Sequence, residues 1–250
     1  MGSQECFGHR EHCCQVVKKI FRKKISLSAM GRWVKRRNMS CQKPLRRATE
    51  QNKKAVEKWK GNEFPQILKE TNKRRASVYF SDDPGIRSDA HGGTTWGKRG
   101  STPVIKKTEK RLRLNVIGAM SRRGDFRFMV YEKSLTGRFF VEFLKRLMHR
   151  LRRPVYLVSD SLRAHKSKEV LKYVESLKGK LTLVFLPTYS PEINPQEYGW
   201  NALKGRRVGG HKISNKNDRL EAVRSCLRKW QKNPQTVRGF FRAKETIYAS

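Results

Sequence analysis

Apolar positions along the chain fall into short runs of two different periods. Val78, Tyr79 and Phe80 make a compact apolar run that ends at Asp82 and Asp83. Leu112, Leu114, Val116 and Gly118 alternate, and after Arg123 and Gly124 so do Phe126, Phe128 and Val130. That spacing predicts two strands joined as a hairpin. Phe139, Phe140, Phe143, Leu144, Leu147, Met148 and Leu151 then recur at helical period, an apolar stripe on one face. Pro154 to Val158 is continuously apolar, as in a strand covered on both sides, and leads into Asp160. A helix over 166–177 and a strand over 181–186 follow. Asn194 and Pro195 then supply a cap and a proline for the start of a new helix. The order β-β-β-α-β-α-β-α predicts an α/β fold with an antiparallel start and parallel crossovers.

Helical patterns flank this unit. Val16, Val17, Ile20 and Phe21 predict a short helix over 15–21, and Ser26 caps a second one with Leu27, Met30, Trp33 and Val34 on one face. Arg32, Lys35, Arg36 and Arg37 occupy the other face. The pair suits either the end of a helix-turn-helix unit or a small basic hairpin. Lys43, Pro44, Arg46 and Arg47 read as a basic connector to phosphates. Helices are expected at 49–60 and 65–73, and again at 218–231 and from Pro234. The expected organisation is an atypical segment 1–14, a partial helix-turn-helix with linker 15–47, a helical connector 48–76, a catalytic core 77–205 and C-terminal helices 206–250.

Charge sharpens this picture. Lys and Arg number 58 against 21 acidic residues, a net charge of +37. A polyanionic partner follows, and nucleic acid is favoured over a membrane surface because no amphipathic anchor stands out. No apolar run reaches the roughly 18 residues that span a bilayer, and no hydrophobic signal segment opens the chain, so a cytoplasmic, nucleoid-associated location is expected. Cys6, Cys13 and Cys14 with His9 and His12 match no zinc-finger spacing, and reduced thiols are the expected state.

Three carboxylates carry the candidate chemistry. Asp82 and Asp160 each follow an apolar strand, and in an α/β sheet the carboxyl ends of strands are where ligands bind. Glu197 lies on the first turn of the helix capped by Asn194, one loop beyond the next strand. Alone, it reads as a capping-box glutamate. Beside two aspartates it would complete a site that repels itself unless cations are present. Oxygen ligands favour Mg2+ or Mn2+, and two such ions can activate an attacking oxygen and stabilise a leaving one at phosphorus.

These residues resemble bacterial insertion-sequence transposases of the insertion-sequence-630 type, a mariner-like branch of the DDE superfamily endonucleases. LPTYSPEINPQEYGW at 186–200 is similar to the family's Leu-Pro-x-Tyr-Ser-Pro…Asn-Pro-x-Glu signature, YFSDD at 79–83 to its first-aspartate motif and LVSD at 157–160 to its second. HGGTTWGKRG at 91–100, RLNVIGAMS at 113–121 and KPLRRATEQNKKAVEKW at 43–59 also read like the family, and 36 residues separate Asp160 from Glu197. The resemblance implies a ribonuclease-H-like core with a mixed five-stranded sheet, and Asp82, Asp160 and Glu197 as catalytic and metal-binding residues. His165 matches a motif-associated histidine, and Tyr189 and Asn194 belong to the signature as supporting residues. Asp83 stands where glutamate is usual and Ser161 where asparagine or glycine is common. The first helix-turn-helix unit of the family is expected to be missing.

The function implied is metal-dependent cleavage of double-stranded DNA at inverted-repeat ends and strand transfer into target DNA by a homodimer. Arg87, Lys98, Arg99 and Lys204 join the cationic residues named above as phosphate contacts, although a solvated surface accounts for them equally well. A catalytically silent DNA-binding remnant of a mobile element is the alternative. A general nuclease on the same fold is a third.

Overall fold

The computed structural model describes residues 10–37, 52–87, 113–132, 134–204 and 216–250. The chain divides into two compact units, residues 1–46 and 47–250.

In the first unit, α1 (Arg10–Phe21) and α2 (Leu27–Arg36) are joined by a short turn. The Ser26 hydroxyl accepts from the Ala29 amide at 3.2 Å, the cap expected from sequence. Helix α1 starts five residues earlier than its apolar period predicts. Arg10 and Glu11 favour helix without contributing to a stripe, so periodicity does not register them. Met30 is buried, whereas Leu27 and Trp33 on the same stripe are about half exposed.

The second unit opens with a rod that sequence reading splits in two. Helix α3 (Lys53–Lys58) continues through a π-helical turn at Trp59–Glu63 into α4 (Phe64–Lys73). Pro65 lacks an amide hydrogen and its ring crowds the preceding turn, and the widened turn accommodates it without breaking the rod. Trp59 and Phe64 enter the core from this junction.

The sheet contains β1 (Ser77–Asp82), β2 (Gly85–Arg87), β3 (Arg113–Ser121), β4 (Phe126–Tyr131), β5 (Val155–Ser159) and β6 (Leu181–Phe185). Strand β3 pairs antiparallel with β1, β2 and β4, while β1, β5 and β6 run parallel. Three-residue β2 continues β1 along β3, and the Val116 amide donates to the Pro84 carbonyl at the junction. It is an addition to the five strands expected. The sheet therefore reads β4-β3-β1-β5-β6 across, the mixed ribonuclease-H-like order.

Strand alternation divides the core. Phe80 and Val158 face Trp200, Leu203, Val223, Leu227 and Trp230, contributed by α7 (Pro195–Leu203) and α8 (Lys216–Lys232). Tyr79 and Leu157 face Phe140, Phe143, Leu144 and Leu147 of α5 (Gly137–Met148), with Val170 of α6 (Lys168–Ser176). A final helix, α9 (Pro234–Gly239), packs Val237 into the first of these layers. Gly118 of β3 is required by this packing. A Cβ there would lie 3.0 Å from both the Trp200 and Phe126 rings.

Candidate active site

Register brings the first two carboxylates together. Phe80 pairs with Val158 across parallel β1 and β5. Asp82 closes β1 and Asp160 directly follows β5, so both stand at the same end of the sheet. Asn194 caps that helix by accepting from the Gln196 amide at 3.1 Å, and Glu197 follows on the first turn. Asp82, Asp160 and Glu197 all line one cavity of about 420 Å³, together with Leu162, Tyr189 and Asn194.

The electrostatics of this cavity are strained in favour of protons. Burial pushes the Asp82 carboxyl well above the usual carboxylate range, and the charges of Glu197, Asp83 and Asp160 push it further. One of its oxygens, Oδ2, is buried without a hydrogen-bond partner. Glu197 is also raised by burial, opposed by the Lys204 ammonium. Lys204 is thus placed where its charge reaches a carboxylate of the site.

Asp83 lies on the opposite face. Burial raises it to about 6, with His165 pulling it down and Asp160 pushing it up. The Tyr131 hydroxyl approaches Asp83 Oδ2 at 3.5 Å. His165 is buried against Phe140, with ring centroids 4.1 Å apart. Its Nδ1 lies 2.8 Å from Asp160 Oδ1, 3.2 Å from the Asp160 carbonyl oxygen and 3.0 Å from Ser159 Oγ. Among the described residues, the ligand atoms of Asp83, Asp160 and His165 all lie within 4.8 Å of one another. Asp160 therefore belongs to two groupings, the cavity with Asp82 and Glu197 and this cluster.

A residue that sequence reading passed over holds the site together. Gln196 is fully buried, and its Nε2 donates to the carbonyls of Phe80 on β1 and Gly118 on β3, the latter at 2.7 Å. Asn194 Nδ2 donates to the Ser81 carbonyl at 3.1 Å. Two side-chain amides thus fasten the start of α7 to the strand carrying Asp82. Gln196 occupies a position that reads as variable in the signature, and nothing in its spacing marks it.

Of the cationic positions, Arg32, Lys35, Arg36 and Arg37 are exposed on α2 and its end, with the Arg37 guanidinium 5.2 Å from the centre of the Trp33 ring. Arg87 lies on β2. Lys43, Arg46, Arg47, Lys98 and Arg99 lie outside the described residues, as do Cys6 and His9 of the N-terminal cluster. No helix among the described residues is long and apolar enough to cross a membrane.

The sequence profile of the DDE superfamily endonucleases matches residues 77–220, more than half of the chain. The chain belongs to this family. A winged helix-turn-helix profile matches residues 8–63. The uncharacterized 39 kDa protein of insertion element IS630 from Shigella sonnei is 26% identical over 152 residues, which cover 60% of this chain and 44% of that protein. The match thus spans less than half of that relative's length.

Solved structures extend the likeness in fold. A pre-cleavage Mos1 transpososome matches with a TM-score of 0.60 at 9% identity, over 100% of this chain and 82% of that one. The Mos1 mariner paired-end complex with Mn gives 0.57 at 10% identity with the same coverage. The Mos1 catalytic domain alone gives 0.51 at 12% identity, covering 80% of this chain and 97% of that one. The chain thus resembles an insertion-sequence-630 protein in sequence and the Mos1 structures in fold.

Proposed function

We propose that this DDE endonuclease is a DNA transposase that cleaves phosphodiester bonds at the ends of a mobile element and transfers the freed 3′-hydroxyl into target DNA. The observation that supports the reading is the single cavity that Asp82, Asp160 and Glu197 line from three separate elements. The donor set fits divalent cations. An orphaned carboxylate oxygen on Asp82 and the mutual repulsion of neighbouring carboxylates are both relieved by positive charge. Asp82, Asp160 and Glu197 would hold two Mg2+ or Mn2+ ions, which when bound supply Lewis-acid stabilisation of charge developing at phosphorus.

The chain's own groups do the positioning. His165 orients the Asp160 carboxylate through Nδ1, while Asn194 and Gln196 set the height of Glu197 against β1. Lys204 opposes the burial that raises Glu197 and adds a cation for the DNA backbone. The basic face of α2 supplies sequence-independent affinity for duplex DNA, in keeping with the charge of +37. Action as a homodimer would bring two element ends to a common target.

The deciding experiment incubates the full chain with DNA bearing the inverted repeats that flank its own gene, with and without Mg2+. Wild type should nick the repeat ends only with the metal, and Asp160→Asn should bind the DNA without nicking it. Tight DNA binding with no cleavage by wild type would establish the silent-remnant reading instead. Undiminished cleavage by Asp160→Asn would remove Asp160 from the site.

A further inference from the structure

Cations crowd one end of the sheet. Strands β1, β5 and β6 are parallel and start in register, with Ser77 opposite Val155 and Val155 opposite Leu181. The turn from β3 to β4 lies at the same end, because Ser121 pairs with Tyr79. Backbone hydrogen bonds fasten the loops to one another. The Ser77 amide donates to the Pro154 carbonyl and the Val155 amide to the Lys180 carbonyl, each at 2.8 Å. Residues 73–76, 122–124, 149–154 and 177–180 make up these loops, and they hold ten Lys or Arg among 17 residues, against 58 among 250 in the whole chain. They hold no Asp or Glu. Asp82 stands at the other end of β1, roughly 17 Å away.

Arg75, Arg123, Arg152, Arg153, Lys178 and Lys180 are all exposed. None of them belongs to an ion pair among the described residues. Two carboxylates beside the loops are engaged within the fold, Glu70 by the Tyr156 hydroxyl at 2.6 Å and Asp125 by the Ser121 hydroxyl at 2.8 Å. Helix ends account for part of the pattern. A cation suits the negative end of a helix dipole, and Arg75, Arg150 and Lys178 follow α4, α5 and α6 with φ of 51°, 61° and 46°. Glycine is the usual residue in that left-handed position, and here all three helices end on a cation instead. Arg123, Arg152, Arg153 and Lys180 lie past the helices, where the dipole has faded. Like charges this crowded repel one another and weaken the free fold. A polyanion seated on them reverses that effect.

We propose that this end of the sheet is a second surface for duplex DNA, held through phosphates alone and occupied by a segment other than the one being cut. Strands β3, β1, β5 and β6 lie side by side, so their loops form a row ~14 Å long. That is close to the ~12 Å width of a major groove, which brings the phosphates on both of its rims within reach. Duplex DNA carries one negative charge per ~1.7 Å of axis, and release of its counterions drives binding to such a row without regard to sequence. One stretch of DNA does not serve both ends of the sheet. A duplex is stiff over ~150 base pairs, and a short one with its phosphate at the carboxylates does not fold back to loops ~17 Å behind them. The occupant is therefore a second duplex or a distant part of the first. That the anion is DNA rests on the nuclease reading above, and the test has a readout that needs no cleavage.

That test saturates the full chain with unlabelled duplex bearing its own flanking inverted repeats, with Ca2+ present to withhold chemistry. A fluorescent duplex of unrelated sequence and about 30 base pairs, well within the stiff range, is then added. Wild type should take up this second duplex, and Lys178 and Lys180 should lose reactivity toward an amine-directed label only when it is present. Neutralising four positions, as Arg75→Gly, Arg152→Gln, Arg153→Gln and Lys178→Gly, should lower the slope of log affinity against log salt for the second duplex by about three to four. Both glycines suit the left-handed backbone they replace, so a melting temperature no lower than that of wild type separates lost contacts from misfolding. Arg152→Lys with Arg153→Lys should keep uptake, because a lysine meets a phosphate as a point charge. Uptake by a wild type that never cuts DNA in Mg2+ would refute the nuclease reading while upholding the surface. No uptake by wild type, equal uptake by the four-position variant, or uptake that protects neither lysine would overturn the surface.

Discussion

Gln196 Nε2 lies 2.7 Å from the carbonyl oxygen of Gly118, and the same amide group donates to the Phe80 carbonyl. One side chain therefore ties the first turn of α7 to two adjacent strands, one residue before Glu197. Gln196→Leu keeps most of the volume and leaves both carbonyls without this donor. Unmet buried acceptors cost about 1–3 kcal/mol, so chemical denaturation should show a loss of that size. The half-saturating Mg2+ concentration for cleavage should rise as well, because Glu197 is no longer held against β1. A loss of stability with unaltered metal dependence would make Gln196 a structural residue only.

His165 offers a separable test of how Asp160 is aimed. Its Nδ1 contacts both the carboxylate and the carbonyl of Asp160 from a buried position. Groups that orient a metal ligand typically contribute 10- to 100-fold in affinity or activity, roughly what His165→Ala should lose. An asparagine amide nitrogen can take the place of Nδ1, so His165→Asn should recover part of that loss. Equal activity in the two variants would show that the donor is unimportant and that filling the space beside Phe140 is what counts.

Stability should depend on pH with an unusual sign. Asp82, Asp83 and Glu197 are all raised in the folded chain, Asp83 to about 6. The folded state then binds more protons than the unfolded one, and stability falls as pH rises. For Asp83 that contribution is complete below the ordinary carboxylate pKa and is lost as pH passes through about 6. In chelator, the melting temperature of Asp83→Asn should decline less than that of wild type between pH 5 and pH 7.5. Adding Mg2+ should raise the wild-type value more at pH 7.5 than at pH 5, since a bound ligand stabilises the state that binds it. A metal effect equal at both pH values would place binding away from these carboxylates.

DNA affinity should be governed by salt. If about ten phosphates are contacted, binding should weaken by about 10³–10⁵ between 50 and 200 mM salt. Neutralising Arg32, Lys35 and Arg36 together should lower the slope of log affinity against log salt by nearly three. An unchanged slope would show that the α2 face does not meet the DNA backbone.

Much of this protein is already legible along the chain, because its signals are local. Apolar alternation marks β3 and β4, a helical stripe marks α5, and Asn194 followed by Pro195 marks the start of α7. Asp82, Asp160 and Glu197 are each recognisable from the motif around them. What local pattern cannot contain is the company a side chain keeps once strands pair. The parallel register of β1 with β5 decides that Asp82 and Asp160 are neighbours, and the alternation of β1 sends Asp83 to the opposite face with Tyr131. A glutamine in a polar stretch reads as solvent-facing, yet Gln196 is buried because the start of α7 packs on β1 and β3 at Phe80 and Gly118. The exposed ring of Tyr189 is likewise a product of the positive φ in its loop. Sequence by itself determined which residues carry charge and the order of the strands and helices. Only the tertiary structure decided which of them share a cavity, because that depends on contacts between residues far apart in sequence, such as Gln196 with Gly118, 78 positions away, and with Phe80, 116 away.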